Sequence, residues 1–390
     1  VSSIANPDSP PAVGKQRPRN WVDLVIRITP AVFVVGLLTL LSLLIDSFLN
    51  VSISRQLPAY ICDRGPAGTH FSHSIACHVY MMNLSLDGQL LFYMFLGLLG
   101  MTVLLSLRVD INEFSLHHLY RNRLIRCYLG ASNRTRKPQP FTGFCAGDDL
   151  SLKALAPSHP DPDGIGYRGP YPIISAALNL VAGKELAWQK RKAASFVFTP
   201  RFCGYELPVL EAVTDDCGAD PDQRPNGCYR PTARFAGAGG GTSLGTALAI
   251  SGAAASPNMG YHSSPPLAFL LTVFNVRLGW WMGNPARSRW MKPSPRFGLR
   301  YLAQELFGFA GAESSFVYLS DGGHFENLGL YELVRRRCRL ILACDATQDG
   351  AYAFSDLGGA IRKCYTDLGI PIVMDVSPIR PQQDPAQSLW

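Results

Sequence analysis

The stretch that decides the fold runs from Tyr318 to Cys344 and reads YLSDGGHFENLGLYELVRRRCRLILAC. Its apolar and amphipathic runs predict a strand at Phe316–Leu319, a helix at about Glu326–Arg337 and a second strand at Leu340–Cys344. This is a β-turn-α-β unit, and its turn begins with Asp321. Open α/β sheets place their chemistry at the carboxyl ends of strands, so Asp321 is the first candidate for a catalytic carboxylate.

Two glycines follow this carboxylate directly. Gly322 and Gly323 have no Cβ and tolerate positive φ, so they allow backbone and substrate to approach Asp321 closely. We therefore expect them to shape the approach to the carboxylate.

Outward from this unit, the same alternation continues toward the C-terminus. A helix is predicted at about Ser355–Leu368 and a strand at Ile370–Val376. Strands that alternate with helices of this length predict a parallel sheet. Residues 138–390 are therefore expected to form an α/β domain with a mainly parallel sheet flanked by helices. Further candidates for buried elements in this domain are Tyr171–Gly183 and Ser195–Thr199. Thr242–Ala255 predicts a helix of small residues that Pro257 ends, and Leu267–Gly283 either lies in the membrane interface, lines a lipid pocket or forms a buried core helix.

The N-terminal part of the chain contains two long uncharged runs. Ile28–Ile45 and Leu90–Leu107 are each about 18 residues long, enough to cross the hydrocarbon core of a bilayer. Arginine and lysine are concentrated before the first run and after the second, so both ends are expected on the cytoplasmic side. The sequence thus predicts an integral membrane protein with a transmembrane hairpin, an external loop and a cytoplasmic α/β domain. Two buried core helices are the alternative.

The segments on either side of this hairpin are basic. Residues 1–20 are rich in Pro and Ser and predict a disordered lead-in. Residues 110–137 predict a basic juxtamembrane helix, in which Arg121, Arg123 and Arg126 either face anionic headgroups or form a solvated face.

Composition supports a membrane-associated protein. Charged residues make up 17% of the 390 residues, and the formal net charge is +7. The arginines lie mostly beside the apolar runs, which indicates membrane lipids as partners and no nucleic acid. The ten cysteines form no Cys-x-x-Cys pair, so no metal site is predicted. Cys62 and Cys77 fall in the external loop, where a disulfide and two free thiols are both open.

Two motifs resemble the patatin-like phospholipase family, in its membrane-associated bacterial branch. DGGHFENLG supplies Asp321, Gly322, Gly323 and Asn327, and SGAAASPNMG at Ser251–Gly260 is similar to the small-residue helix and Pro turn that precede this motif. The resemblance implies an acyl hydrolase with a Ser-Asp dyad, in which Asp321 is the general base and Asn327 braces the turn. It implies no metal and no organic cofactor, and it makes His324 a residue of the turn.

The nucleophile is the missing part of this interpretation. Gly241–Gly245 (GTSLG) has the Gly-x-Ser-x-Gly spacing, but no apolar strand precedes it, as a nucleophile elbow requires. We therefore interpret Ser243 as a helix N-cap. The chain is expected to be the C-terminal part of a patatin-like domain, with the serine outside it. The predicted function is hydrolysis of a phospholipid or lysophospholipid ester, and the alternative is a catalytically incomplete scaffold with the same fold. The oligomeric state is not predicted.

Overall fold

A computed structural model describes residues 32, 35–45, 88–157, 167–181, 192–206, 228–237, 241–259, 265–350 and 352–379. The chain divides into two compact units, 1–96 and 97–390. In the first unit, residues 35–45 are helical.

The second unit is organised around one sheet of six strands in the order β4-β3-β2-β1-β6-β5. The strands are β1 Ile174–Asn179, β2 Ala193–Phe198, β3 Phe202–Tyr205, β4 Cys228–Pro231, β5 Trp280–Gly283 and β6 Phe316–Asp321. Every neighbouring pair is antiparallel. The result is a curled antiparallel half-barrel.

Seven α-helices lie within the described residues 88–379. They are α1 Gly88–Arg108, α2 Leu116–Leu124, α3 Leu244–Ser251, α4 Pro265–Val273, α5 Gly298–Phe307, α6 Leu330–Arg335 and α7 Ser355–Leu368. A π-helical turn, Ile125–Leu129, continues α2, and a 3₁₀ turn, Gly322–His324, follows β6.

The sheet is covered on both faces where β1 and β2 run. On one face, Phe196 and Phe198 pack in a cluster with Ile250 of α3. On the other, Ala177 packs with Tyr331 of α6 and Cys364 of α7. Strands that are buried on both faces have continuous apolar sequences instead of alternating ones. This pattern is the reason that the sequence predicted buried elements here.

The predicted parallel sheet is wrong. Strands β2 and β3 are joined by residues 199–201 alone, and so short a connection can only reverse the chain. Strand β6 was expected to open a parallel βαβ unit, but both of its edges carry antiparallel partners, β1 and β5. No edge beside β6 is left for a later parallel strand.

The two apolar runs that were predicted as the next strands are irregular instead. Leu340–Cys344 and Ile370–Val376 contain no strand, and Leu340, Leu342 and Val373 are 90%, 88% and 99% exposed. Helix α7, Ser355–Leu368, is confirmed. The helix predicted at about Glu326–Arg337 is shorter and runs from Leu330 to Arg335, because Gly329, with φ of +67°, is not helical and the helix begins after it.

The predicted transmembrane hairpin, and the integral membrane location inferred from it, are also wrong. No helix of the described residues is long and apolar enough to cross a bilayer. The lead-in 1–20, the external loop and the pair Cys62 and Cys77 lie outside the described residues.

Candidate active site

Asp321 is the last residue of β6 and lies opposite Ala176 of β1. Its Oδ1 accepts a hydrogen bond of 2.7 Å from the backbone N–H of Gly323, so the carboxylate caps the 3₁₀ turn. Within the described part of the chain, Oδ2 has no hydrogen-bond donor and neither oxygen pairs with an arginine or lysine. One oxygen is therefore fixed, and the other can accept a proton.

The end of helix α3 lies beside this carboxylate. The backbone N–H of Asp321 donates to the carbonyl of Ala253 at 3.4 Å. The hydroxyl of Ser251 donates to the carbonyl of Ser175 at 2.7 Å. A Cβ on Gly322 would lie 2.8 Å from that same carbonyl oxygen. The fold thus brings together the two motifs that carry the resemblance, SGAAASPNMG and DGGHFENLG.

Glycine is required at both positions of the turn because neighbouring atoms leave no room for a Cβ, and not because the backbone has a positive φ. Neither Gly322 nor Gly323 has a positive φ, which corrects one of the two reasons the sequence suggested. A Cβ on Gly323 would lie 2.0 Å from Oδ1 of Asn327 and 3.1 Å from Oδ1 of Asp321. The space around the carboxylate is therefore filled by backbone and by Asn327.

Asn327 joins the turn to helix α7. Its side-chain amide donates to Oδ2 of Asp356 at 3.1 Å, while its carbonyl oxygen faces Gly323. The bracing role expected for Asn327 stays a prediction. His324 lies on the same turn, and its Nδ1 is 2.8 Å from the hydroxyl of Ser320, which also accepts a hydrogen bond from Asn179.

Tyr120 of α2 is a neighbour of Asp321 that the sequence did not reveal. Its hydroxyl lies 2.5 Å from where a Cβ of Gly252 would stand, next to the Ala253 carbonyl that holds Asp321. Burial raises the pKa of Tyr120, and the negative charge of Asp321 raises it further. No local motif marks this contact, because α2 and β6 are far apart in sequence.

Ser243 is the N-cap of α3. Its Oγ accepts a hydrogen bond of 3.2 Å from the backbone N–H of Thr246 and lies 2.9 Å from the Thr246 hydroxyl. Arg121 donates to the same oxygen at 3.4 Å. The geometry matches the N-cap interpretation of the GTSLG motif.

No family model, no curated protein and no solved structure matches this chain.

The arrangement can therefore be assessed only from its own chemistry. No group of three or more His, Cys, Asp or Glu in the described ranges could hold a metal ion. What these residues do offer is a carboxylate with one anchored oxygen, which lies beside the end of α3 and near enough to Tyr120 to raise the pKa of that phenol. Such a carboxylate is suited to take a proton from a hydroxyl and return it.

Proposed function

We propose that this chain carries the general base of a Ser-Asp acyl-ester hydrolase whose substrates are phospholipids or lysophospholipids. The observation that carries the proposal is the asymmetry of Asp321. Oδ1 is held by the N–H of Gly323, whereas Oδ2 has no donor in the described part of the chain. The meeting of the two patatin-like motifs around this carboxylate supports it.

In the proposed reaction, Asp321 accepts the proton of a serine hydroxyl, which is a weak nucleophile without a base. The serine oxygen bonds to the ester carbonyl carbon, and the carbonyl oxygen takes up the negative charge. Collapse of this intermediate breaks the ester bond, and Asp321 returns the proton to the leaving alcohol. Water then attacks the acyl-serine with the same base, which releases the fatty acid and restores the serine.

The proposal places the nucleophilic serine outside the described residues. Ser243 has the matching Gly-x-Ser-x-Gly spacing, but its hydroxyl is engaged at the start of α3. Ser251 lies nearer to Asp321, but its hydroxyl is directed to the Ser175 carbonyl.

The test compares two carboxylates of the same turn region in the full-length protein. Asp321→Asn should abolish hydrolysis of phospholipid and p-nitrophenyl esters, while Asp356→Asn, the control next to Asn327, should retain most of it. Mapping the serine that a fluorophosphonate labels would locate the nucleophile. Wild-type turnover in Asp321→Asn would remove Asp321 from the mechanism.

A catalytically incomplete scaffold is the second candidate, and the capping role of Ser243 favours it. On this alternative, the fold is retained without a nucleophile. Absence of fluorophosphonate labelling in the full-length protein, with a folded Asp321 turn, would support the scaffold over the hydrolase.

A further inference from the structure

A segment whose charged residues are all positive precedes helix α5 and includes its first three residues. Residues 287–300 read RSRWMKPSPRFGLR and contain no carboxylate. Four of its cations are exposed, and none of them forms an ion pair within the described residues. We call these four residues the basic face: Arg289, Lys292, Arg296 and Arg300.

The fold holds this segment in place. The backbone N–H of Gly283 in β5 donates to the carbonyl of Lys292 at 3.2 Å, and the side chain of Asn112 donates to the carbonyl of Pro293 at 3.4 Å. Ser294 donates to the carboxylate of Asp110. The basic face is therefore presented by a loop that is tied to the sheet and to the start of the α2 region.

Two of these cations, Arg289 and Arg300, lie near the phenol of Tyr301. Burial raises the pKa of Tyr301, and the positive charges of Arg300 and Arg289 both oppose that rise. The guanidinium carbon of Arg300 lies 6.0 Å from the centre of the Tyr301 ring. Two cations from different ends of the segment thus act on one phenol.

Apolar side chains are exposed among these cations. Met291 is 49% exposed and Leu299 is 36% exposed. The N–H of Leu299 donates to the hydroxyl of Ser106 at 2.7 Å, which places the last turn of α1 beside the basic face. In that turn, Leu104 and Leu107 are 58% and 57% exposed.

We propose that the basic face binds the surface of an anionic lipid bilayer. Its cations match the charge of anionic headgroups, and the apolar side chains between them can enter the boundary between headgroups and acyl chains. A polyanion such as nucleic acid would satisfy the charges but leave Met291 and Leu299 in water. This contact needs no helix across the bilayer, and it does not depend on ester hydrolysis.

One of the three arginines that the sequence favoured for headgroup contact is engaged within the fold. Arg121 was a candidate for headgroup contact, but its guanidinium is bound to the carboxylate of Asp149, whose other oxygen accepts the N–H of Gly245. That arginine joins α2 to α3 and is not available to a headgroup.

The experiment measures co-flotation of the full chain with lipid vesicles. Wild type should bind vesicles of phosphatidylcholine that contain phosphatidylserine, and not vesicles of phosphatidylcholine alone. Arg296→Glu/Arg300→Glu should weaken binding by about tenfold or more. The matched control, Lys153→Glu/Arg362→Glu, changes the net charge equally at two exposed positions outside the basic face and should bind as wild type.

Lys292→Gln/Arg296→Gln is a milder second variant, and added salt should weaken the binding of all proteins. The proposal fails if wild type shows no preference for anionic vesicles, or if the control loses binding as much as the test variant. It also fails if duplex nucleic acid binds the face as tightly as the vesicles do. Asp321→Asn should keep vesicle binding, which separates this proposal from the hydrolase proposal.

Discussion

Arg277 and Glu305 form an ion pair that is almost completely buried. Nη1 of Arg277 lies 2.5 Å from Oε1 of Glu305, and the two side chains are 3% and 0% exposed. The same carboxylate oxygen accepts a hydrogen bond of 2.6 Å from the indole of Trp281. The apolar run Leu267–Gly283 contains one charged residue, Arg277, and the ion pair explains it. Arg277 lies in the connection between helix α4 and strand β5.

Removal of one partner should be costly, because the other charge stays buried without compensation. Arg277→Met should lower the free energy of unfolding by about 3–5 kcal/mol. The double variant Arg277→Met/Glu305→Leu should be more stable than the single variant, since neither charge remains. Urea unfolding of both variants measures the difference. A loss below about 1 kcal/mol in Arg277→Met would show that the pair is not buried as described.

His117 should make stability depend on pH in acid. Its Nδ1 donates to the carbonyl of Leu278, and Nε2 is buried with no partner in the described residues. Burial lowers the pKa of His117 from 6.5 to about 4, and the Leu278 carbonyl partly opposes this. The unfolded chain therefore takes up a proton between pH 6.5 and about 4 that the folded chain does not.

The free energy of unfolding should fall by about 3 kcal/mol as pH is lowered through this window, with no contribution from His117 above it. In His117→Asn this part of the pH dependence should disappear, while His118→Asn serves as the control. Urea unfolding at a series of pH values measures it. Equal slopes for wild type and His117→Asn would refute the assignment.

Gly323 should not tolerate a Cβ while Asn327 is present. Gly323→Ala places a methyl group 2.0 Å from Oδ1 of Asn327, so the turn must shift. We expect a loss of about 1–3 kcal/mol in unfolding free energy and a displaced Asp321 carboxylate. Asn327→Ala should recover most of that loss in the double variant. Gly358→Ala is a matched control on α7, where nothing lies within 4 Å, and it should be neutral or stabilising.

Ser243→Ala should reduce stability without changing any esterase activity. The hydroxyl caps α3, and loss of such a cap costs about 1 kcal/mol. Thermal unfolding and ester hydrolysis, measured on the same preparation, separate the two effects. Loss of hydrolysis with normal stability would make Ser243 the nucleophile.

The sequence predicted local features well where the signal is local. Helix α7, the apolar strand before Asp321 and the small-residue helix before Pro257 are all observed, since each depends on a run of side chains and its ends. The N-cap interpretation of Ser243 agrees with the structure for the same reason. The parallel sheet was not predictable from that alternation, because the pairing of β6 with β1 and β5 depends on residues far away in the chain.

The sequence by itself determined which residue carries the candidate carboxylate and which small residues surround it. Asp321, Gly322, Gly323 and Asn327 form one contiguous turn, and short-range sterics govern such a turn. Only the tertiary structure decided the neighbours, because sheet order, the approach of Tyr120 and Ala253, and the ion pairs of Arg121 and Arg277 join segments that no local pattern connects. Burial against those segments fixes which charges are paired and which face the solvent.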